Sequence, residues 1–277
     1  MAQIDIRECT IKLFDGTLGT YTFVSAADDA DLSFTAKSKH IGSDKITVTI
    51  SNPGTALAPL AVTVVGRDIT ISLETDNSGT PAVISTAAEV KTAVEALAAA
   101  HALVTVAYAN VTAGDGSGAV DVFTKTALSG QKSISVKIGE GNLTYSEKRP
   151  VEFIRDRGAI DTVKNADEEP MDLSFDIMWE WISTEHGATA TVEDALKRLN
   201  DAHDWASTAD DDCQPYCVDV ELWNAPGCGS LDDELIVFEE FYYETLDHDV
   251  REGTVSAAGR CNRTVATPRR VAHSDVA

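Results

Sequence analysis

Apolar and polar side chains alternate along Met171–Trp181. Met171, Leu173, Phe175, Ile177, Trp179 and Trp181 fall on one face, and Asp172, Ser174, Asp176 and Glu180 on the other, with Met178 as the interruption. A period of two predicts a β-strand with one face on a core and an acidic face toward water. The alternation returns in Cys217–Trp223, where Val218, Val220 and Leu222 oppose Asp219 and Glu221. Further strands are expected over Leu235–Tyr243 and Thr254–Cys261. Near the start, Thr10–Phe14 and Thr20–Val24 flank the turn-forming Asp15-Gly-Thr-Leu-Gly19, which predicts a hairpin. One helix is expected over Thr191–Asn200: Thr191 caps it, Asp194 stands three residues on, and Val192, Ala195, Leu196 and Leu199 form a stripe. The polar stretch between Lys148 and Pro170, centred on Arg155-Asp-Arg-Gly158, reads as a long protruding hairpin or loop.

A different texture runs from residue 27 to residue 130. That block contains no Cys and no Trp, and its aromatics are Phe34, Tyr108 and Phe123 alone. It carries 11 acids and 6 bases, against 34 and 16 in the remainder. Turn-rich stretches, Ser25–Asp31 and Thr126–Gly130, border it. The shift predicts an inserted domain at 27–130 within a discontinuous domain made of 1–26 and 131–277, since insertions are tolerated at exposed loops. Inside the block, strands are expected over Lys45–Ile50, Ala61–Val65, Ile69–Leu73, Val104–Tyr108 and Val120–Phe123. A helix begins at the capping box of Thr86 and Glu89, with Val90, Val94 and Leu97 at helical spacing. The block is thus a small α+β module. Its Gly-rich loop, Ala113–Gly118, lacks the Lys-Ser/Thr ending of a phosphate-binding loop and opens no helix.

Charge narrows the function classes. With 45 acids, 22 bases and a net charge of −23, the chain lacks the clustered cations that a broad grip on DNA or anionic lipid needs. No apolar run reaches the length of a membrane span, and the start shows no basic and then apolar signal segment, so synthesis and folding in a cytoplasm are expected. Cys213, Cys217, Cys228 and Cys261 are the best metal candidates, since four thiolates can close a tetrahedral zinc site; the competing reading is buried or free thiols. Asp210-Asp-Asp212 reads as a solvated loop rather than a cation site. None of the six histidines has metal-ligand spacing, and His248, between Asp247 and Asp249, lacks a nucleophile motif beside it and reads as a surface residue. Three glycosylation triplets, at Asn110, Asn142 and Asn262, have no export signal to give them meaning. Phe238, Phe241, Tyr242 and Tyr243 lie among Glu239, Glu240 and Glu244 and read as core and interface rather than a base-stacking platform. No enzyme motif is found, and no cofactor is expected.

Two features together resemble a known family: the Met171–Trp181 strand leading to the Thr191–Asn200 helix, and the ending Asp232–Cys261, in which an aromatic strand passes through an acidic turn into Gly253-Thr-Val-Ser256. They are similar to the major tail tube protein of long, non-contractile-tailed bacteriophages, over everything outside the insert. The insert is similar to small β-rich modules that decorate phage structural proteins. The resemblance implies a tail-tube-type β-sandwich or barrel with one flanking helix, whose copies stack as hexameric rings into a conduit for DNA ejection. The implied partners are further copies of the chain, a tape measure protein and tail terminator or tip proteins, and the place is the virion tail. DNA passes without specific binding, because an acidic lining repels phosphate. Asp172, Asp176 and Glu180 are then candidates for the lumen or the outer surface. Arg149, Arg155 and Arg157 become candidates for contacts between rings, through a loop similar to the family's inter-ring hairpin. The alternative reading is an extracellular β-rich adhesion module, which predicts an export signal and an immunoglobulin-type Cys–Trp–Cys arrangement, neither of which is present.

Overall fold

The chain parts at Gly16/Thr17 and Gln131/Lys132 into two units, one made of residues 1–16 and 132–277 and the other of Thr17–Gln131. The computed structural model describes residues 9–40, 42–109, 114–136, 142–157, 159–178, 190–224 and 233–271. At 46% strand and 11% helix the molecule is mainly β, as its alternating segments predict. Strands are numbered along the whole chain.

The first strand, β1 (Cys9–Phe14), belongs to the discontinuous unit. The second unit starts with β2 (Thr20–Phe23), β3 (Leu32–Ala36) and β4 (Thr47–Ser51), followed by β5 (Ala61–Val65) and β6 (Asp68–Ser72). Helices α1 (Ala87–Ala96) and α2 (Ala98–Leu103) precede β7 (Val104–Tyr108) and β8 (Phe123–Ala127). Three strands pair in the order β2-β3-β7 and four in the order β5-β6-β4-β8, with β4 and β6 parallel. In β4, Val48 and Ile50 are buried while Thr47, Thr49 and Ser51, which alternate with them, are half-buried, as period two requires. The predicted capping box forms: Glu89 N–H donates to Thr86 Oγ1 at 3.3 Å, and Thr86 N–H to Glu89 Oε2 at 2.8 Å. Val90 and Val94 then join a core with Phe23, Phe34 and the Ile/Val rows of β4 and β6.

One expectation fails here. The hairpin expected between Thr10–Phe14 and Thr20–Val24 does not form: Thr20–Phe23 pairs with β3 and belongs to the Thr17–Gln131 unit, ten residues ahead of the boundary that the composition shift placed at residue 27. Both edges of β1 are occupied by other strands, so it has none to offer. Phe23 commits β2 to the insert core, its ring 5.5 Å from that of Phe34 and 4.9 Å from that of Phe123.

The discontinuous unit resumes with β9 (Ser133–Val136), β10 (Leu143–Ser146), β11 (Val151–Asp156), β12 (Ala159–Asn165) and β13 (Met171–Met178). After α3 (Val192–Lys197) come β14 (Val218–Asn224), β15 (Asp233–Asp249), β16 (Thr254–Cys261) and β17 (Thr267–Val271). The main sheet runs β10-β13-β16-β15-β14-β1-β9, with β17 added to the start of β15. The long β15 pairs with β14 through its first half and with β16 through its second. Register shifts occur at both pairings, and Glu240 takes a left-handed φ of 54° between them. Bulges of this kind bend a strand. The bend is large: Tyr145 of β10 lies three strand spacings from β15, roughly 14 Å along a flat sheet, yet its ring centroid is 5.0 Å from that of Phe238. The sheet therefore curls over itself and encloses Leu13, Leu173, Phe175, Val220, Phe238 and Phe241.

Helix α3 is shorter than expected. It ends at Arg198, in the left-handed region at φ 54°, so the stripe of Val192, Ala195 and Leu196 is buried while Leu199 is exposed. The acids of β14 also depart from expectation, since Asp219 and Glu221 are buried rather than facing water. Asp219 accepts the backbone N–H of Glu240 at 2.9 Å, directly at the β15 bulge, and Glu221 stands opposite Lys12 in the β1–β14 register.

Within the discontinuous unit, the two chain ends from which the insert departs are held together. Asp15 N–H donates to the Lys132 carbonyl at 3.0 Å and Lys132 N–H returns to Asp15 Oδ1 at 2.8 Å. Gly16 N–H donates to the Ala206 carbonyl, and a Cβ at Gly16 would lie 2.0 Å from the Ser207 carbonyl oxygen, so only glycine fits.

Candidate assembly surface

Two surfaces of the discontinuous unit collect the residues singled out in the sequence. The first is the solvent face of β10, β13, β16 and the second half of β15. Because β13 buries Met171, Leu173, Phe175 and Ile177, its Asp172 and Asp176 share the opposite face. Cross-strand register places Asp176 and Asp247 on either side of Ser256, whose hydroxyl donates to Asp176 at 2.5 Å. The neighbouring row is neutral and holds Thr144, Ser174, Ala258 and Thr245. In the next row Asp172 meets Lys148 at 2.8 Å and Arg260 at 3.4 Å, and Arg260 also reaches Glu244 at 3.5 Å. The Lys148 ammonium, hydrogen-bonded to Asp172, holds that carboxyl below the usual aspartate range. Glu180, expected on the same face, lies outside the described residues.

The second surface is the hairpin of β11 and β12, whose strands, among the described residues, pair only with each other. Phe153 stands opposite Val163 and Arg155 opposite Ile160, with one register shift between Ile154 and Arg155. Alternation along β11 puts Val151, Phe153 and Arg155 on one face, opposite Asn165, Val163 and, past the register shift, Ile160, so an apolar cluster of Val151, Phe153, Val163 and Ile160 is bordered by Arg155 and Asn165. All four are exposed, Phe153 at 57% and Ile160 at 59%, which makes this an apolar ribbon open to water. Arg149, Arg155 and Arg157 are also exposed, and Arg157 sits at the turn with a left-handed φ of 48°. An isolated two-stranded ribbon is marginally stable in water, and this one leaves its apolar side chains uncovered.

The cysteines do not form a ligand set among the described residues. Cys213 is exposed, Cys217 and Cys261 are buried, and Cys228 lies outside the described residues. No described cysteine belongs to a group of three donor atoms close enough to share an ion. Burial pushes the Cys217 and Cys261 thiols up. Two results are expected. Alkylation followed by mass spectrometry labels Cys213 well before Cys217 and Cys261. Stability also falls as pH rises past the ordinary thiol range, because the unfolded chain ionises there while the folded thiols hold their protons; a thermal-melt series from pH 7 to pH 10 reads this.

Other candidates take ordinary structural places. Arg263 draws together Asp210 at 2.9 Å, Glu239 at 3.1 Å and the buried Glu240 at 3.3 Å, so Asp210 serves an ion-pair network rather than a free acidic loop. His248 is exposed, with Nε2 3.3 Å from Glu193. Sequence reasoning missed the apolar hairpin side chains, because aligning the two arms about Arg157-Gly158 sets Phe153 against Thr162, whereas the register shift after Ile154 sets it against Val163. Among the described residues no helix is long and apolar enough to cross a membrane. Comparison with protein-family models, curated proteins and solved structures finds no match for the chain.

Proposed function

We propose that the chain is a structural subunit that joins copies of itself into stacked hexameric rings, forming a phage tail tube that conducts DNA and performs no catalysis. The apolar hairpin carries this reading. A self-assembling subunit must leave part of its interface uncovered until a neighbour arrives, and covering the exposed half of each such side chain contributes about 1 kcal/mol. The arginines around the ribbon suit an acidic partner, and a second copy, at net −23, is one. On the face of β13, β16 and β15, Asp172 and Glu244 are compensated by Lys148 and Arg260, and the carboxylates of Asp176 and Asp247 suit a bore in which the phosphate backbone slides rather than adheres. The resemblance makes a tape measure protein and tail terminator or tip proteins the chain's further partners, and the unit Thr17–Gln131 decorates the tube.

Negative-stain microscopy of the purified protein tests the reading, with hollow filaments or stacked rings as the expected result. Salt supplies the sign. Subunits at net −23 repel one another, and the screening length shrinks to about 3 Å at 1 M salt. Polymer formed by apolar contacts therefore increases between 0.05 and 1 M NaCl, read by pelleting. Uniform monomers at high concentration throughout that range would overturn the proposal.

A further inference from the structure

The four-stranded sheet of the Thr17–Gln131 unit has two edges, and they are treated differently. Edge strand β8 carries Lys125, paired with Asp68 at 2.8 Å, and a register shift against β4. Charge and irregularity of this sort keep an edge from templating another strand. Edge strand β5 has neither. Its sequence is Ala-Val-Thr-Val-Val, its pairing with β6 is regular over all five positions, and the segment from Ile46 to Gly66 contains no charged residue in a chain of net −23. Val62 and Val64 pack inward while Ala61, Thr63 and Val65 face out, Val65 at 78% exposure. Among the described residues, no backbone hydrogen bond beyond the β6 ladder reaches Ala61–Val65.

We infer that β5 pairs with β5 of a second copy, antiparallel about Thr63, through a contact separate from the hairpin surface. Two observations choose the occupant. The strand is self-complementary: antiparallel pairing about Thr63 sets Thr63 against its own counterpart, a hydroxyl pair favoured across strands, and Ala61 against Val65, small against large. A two-fold contact requires this matching of a patch with itself. Charge points the same way, because two chains of net −23 approach with least repulsion where neither carries charge, and β5 with its flanking loop is such a place.

The register gives a sharp test on the full-length chain with the exposed Cys213 changed to serine. Thr63→Cys oxidises to a covalent dimer on a non-reducing gel, Ala61→Cys alone does not, and Ala61→Cys with Val65→Cys together does. Thr63→Lys lowers the dimer fraction at least tenfold in sedimentation velocity with an unchanged melting temperature. Equal cross-linking of Thr63→Cys and Ala61→Cys means random collision and overturns the inference, as does the absence of any cross-link. Adding Phe153→Asp, which blocks assembly through the hairpin, leaves the Thr63→Cys dimer intact. A dimer lost together with the polymer would place the contact inside the tube and overturn its independence.

Discussion

Replacing Thr17–Gln131 by Asn-Gly, so that Gly16-Asn-Gly links Asp15 to Lys132, yields a folded, β-rich protein that still polymerises. The reason lies in the pairing of β1 with β9. Phe14 faces Ser133, and Asp15 and Lys132 exchange two hydrogen bonds just beyond them. The whole insert is thus the loop of an ordinary antiparallel hairpin, and a three-residue loop closes such a hairpin well. The discontinuous unit keeps its own core, from Ile11 and Leu13 through Phe238 and Phe241, so no apolar cluster is cut by the deletion. Circular dichroism, a cooperative thermal melt and negative-stain microscopy read the outcome. A product that is unfolded or aggregated would show that the insert is needed for folding. A folded product that stays monomeric would place the assembly contacts on the insert instead.

The second large effect is expected at the hairpin. Phe153→Asp removes an apolar contact worth about 1–2 kcal/mol, since roughly half of the side chain remains to be covered, and would bury a charge in its place. The critical concentration for polymerisation rises at least tenfold, since each 1.4 kcal/mol is a factor of ten. Stability barely moves, because Phe153 is 57% exposed in the subunit. Phe238→Ala gives the opposite pattern: it empties a fully buried site beside Tyr145 and costs about 3–5 kcal/mol of stability. Pelleting assays beside thermal melts separate the two. Unchanged polymerisation of Phe153→Asp would remove the hairpin from the interface.

Much of this architecture was legible because period-two alternation reports burial directly. Met171–Met178 could be read as a half-buried strand with Asp172 and Asp176 outside, and the composition shift located the insert to within about ten residues. Partner choice was not legible. Thr20–Phe23 reads as a strand whichever neighbour it has, and only Phe23 packing on Phe34 and Phe123 decides for β3. The buried acids were misread for a related reason. Asp219 looks like a water-facing residue of an alternating strand, yet distant Glu240 bends β15 there and offers its backbone N–H to the carboxylate. The hairpin was legible as a protrusion, but its apolar face required the register between arms, which a bulge shifts after Ile154.

The hydrogen-bonded junction at Asp15 and Lys132 also sets an order of events during folding. While Thr17–Gln131 is a disordered coil, β1 and β9 must meet across all of it, and the entropy lost on closing so long a loop slows that encounter. Once the insert has collapsed on its own core, the intervening chain no longer wanders as a coil and the cost falls. Nascent chains therefore complete the inserted unit first, and the sheet that surrounds β1 closes last.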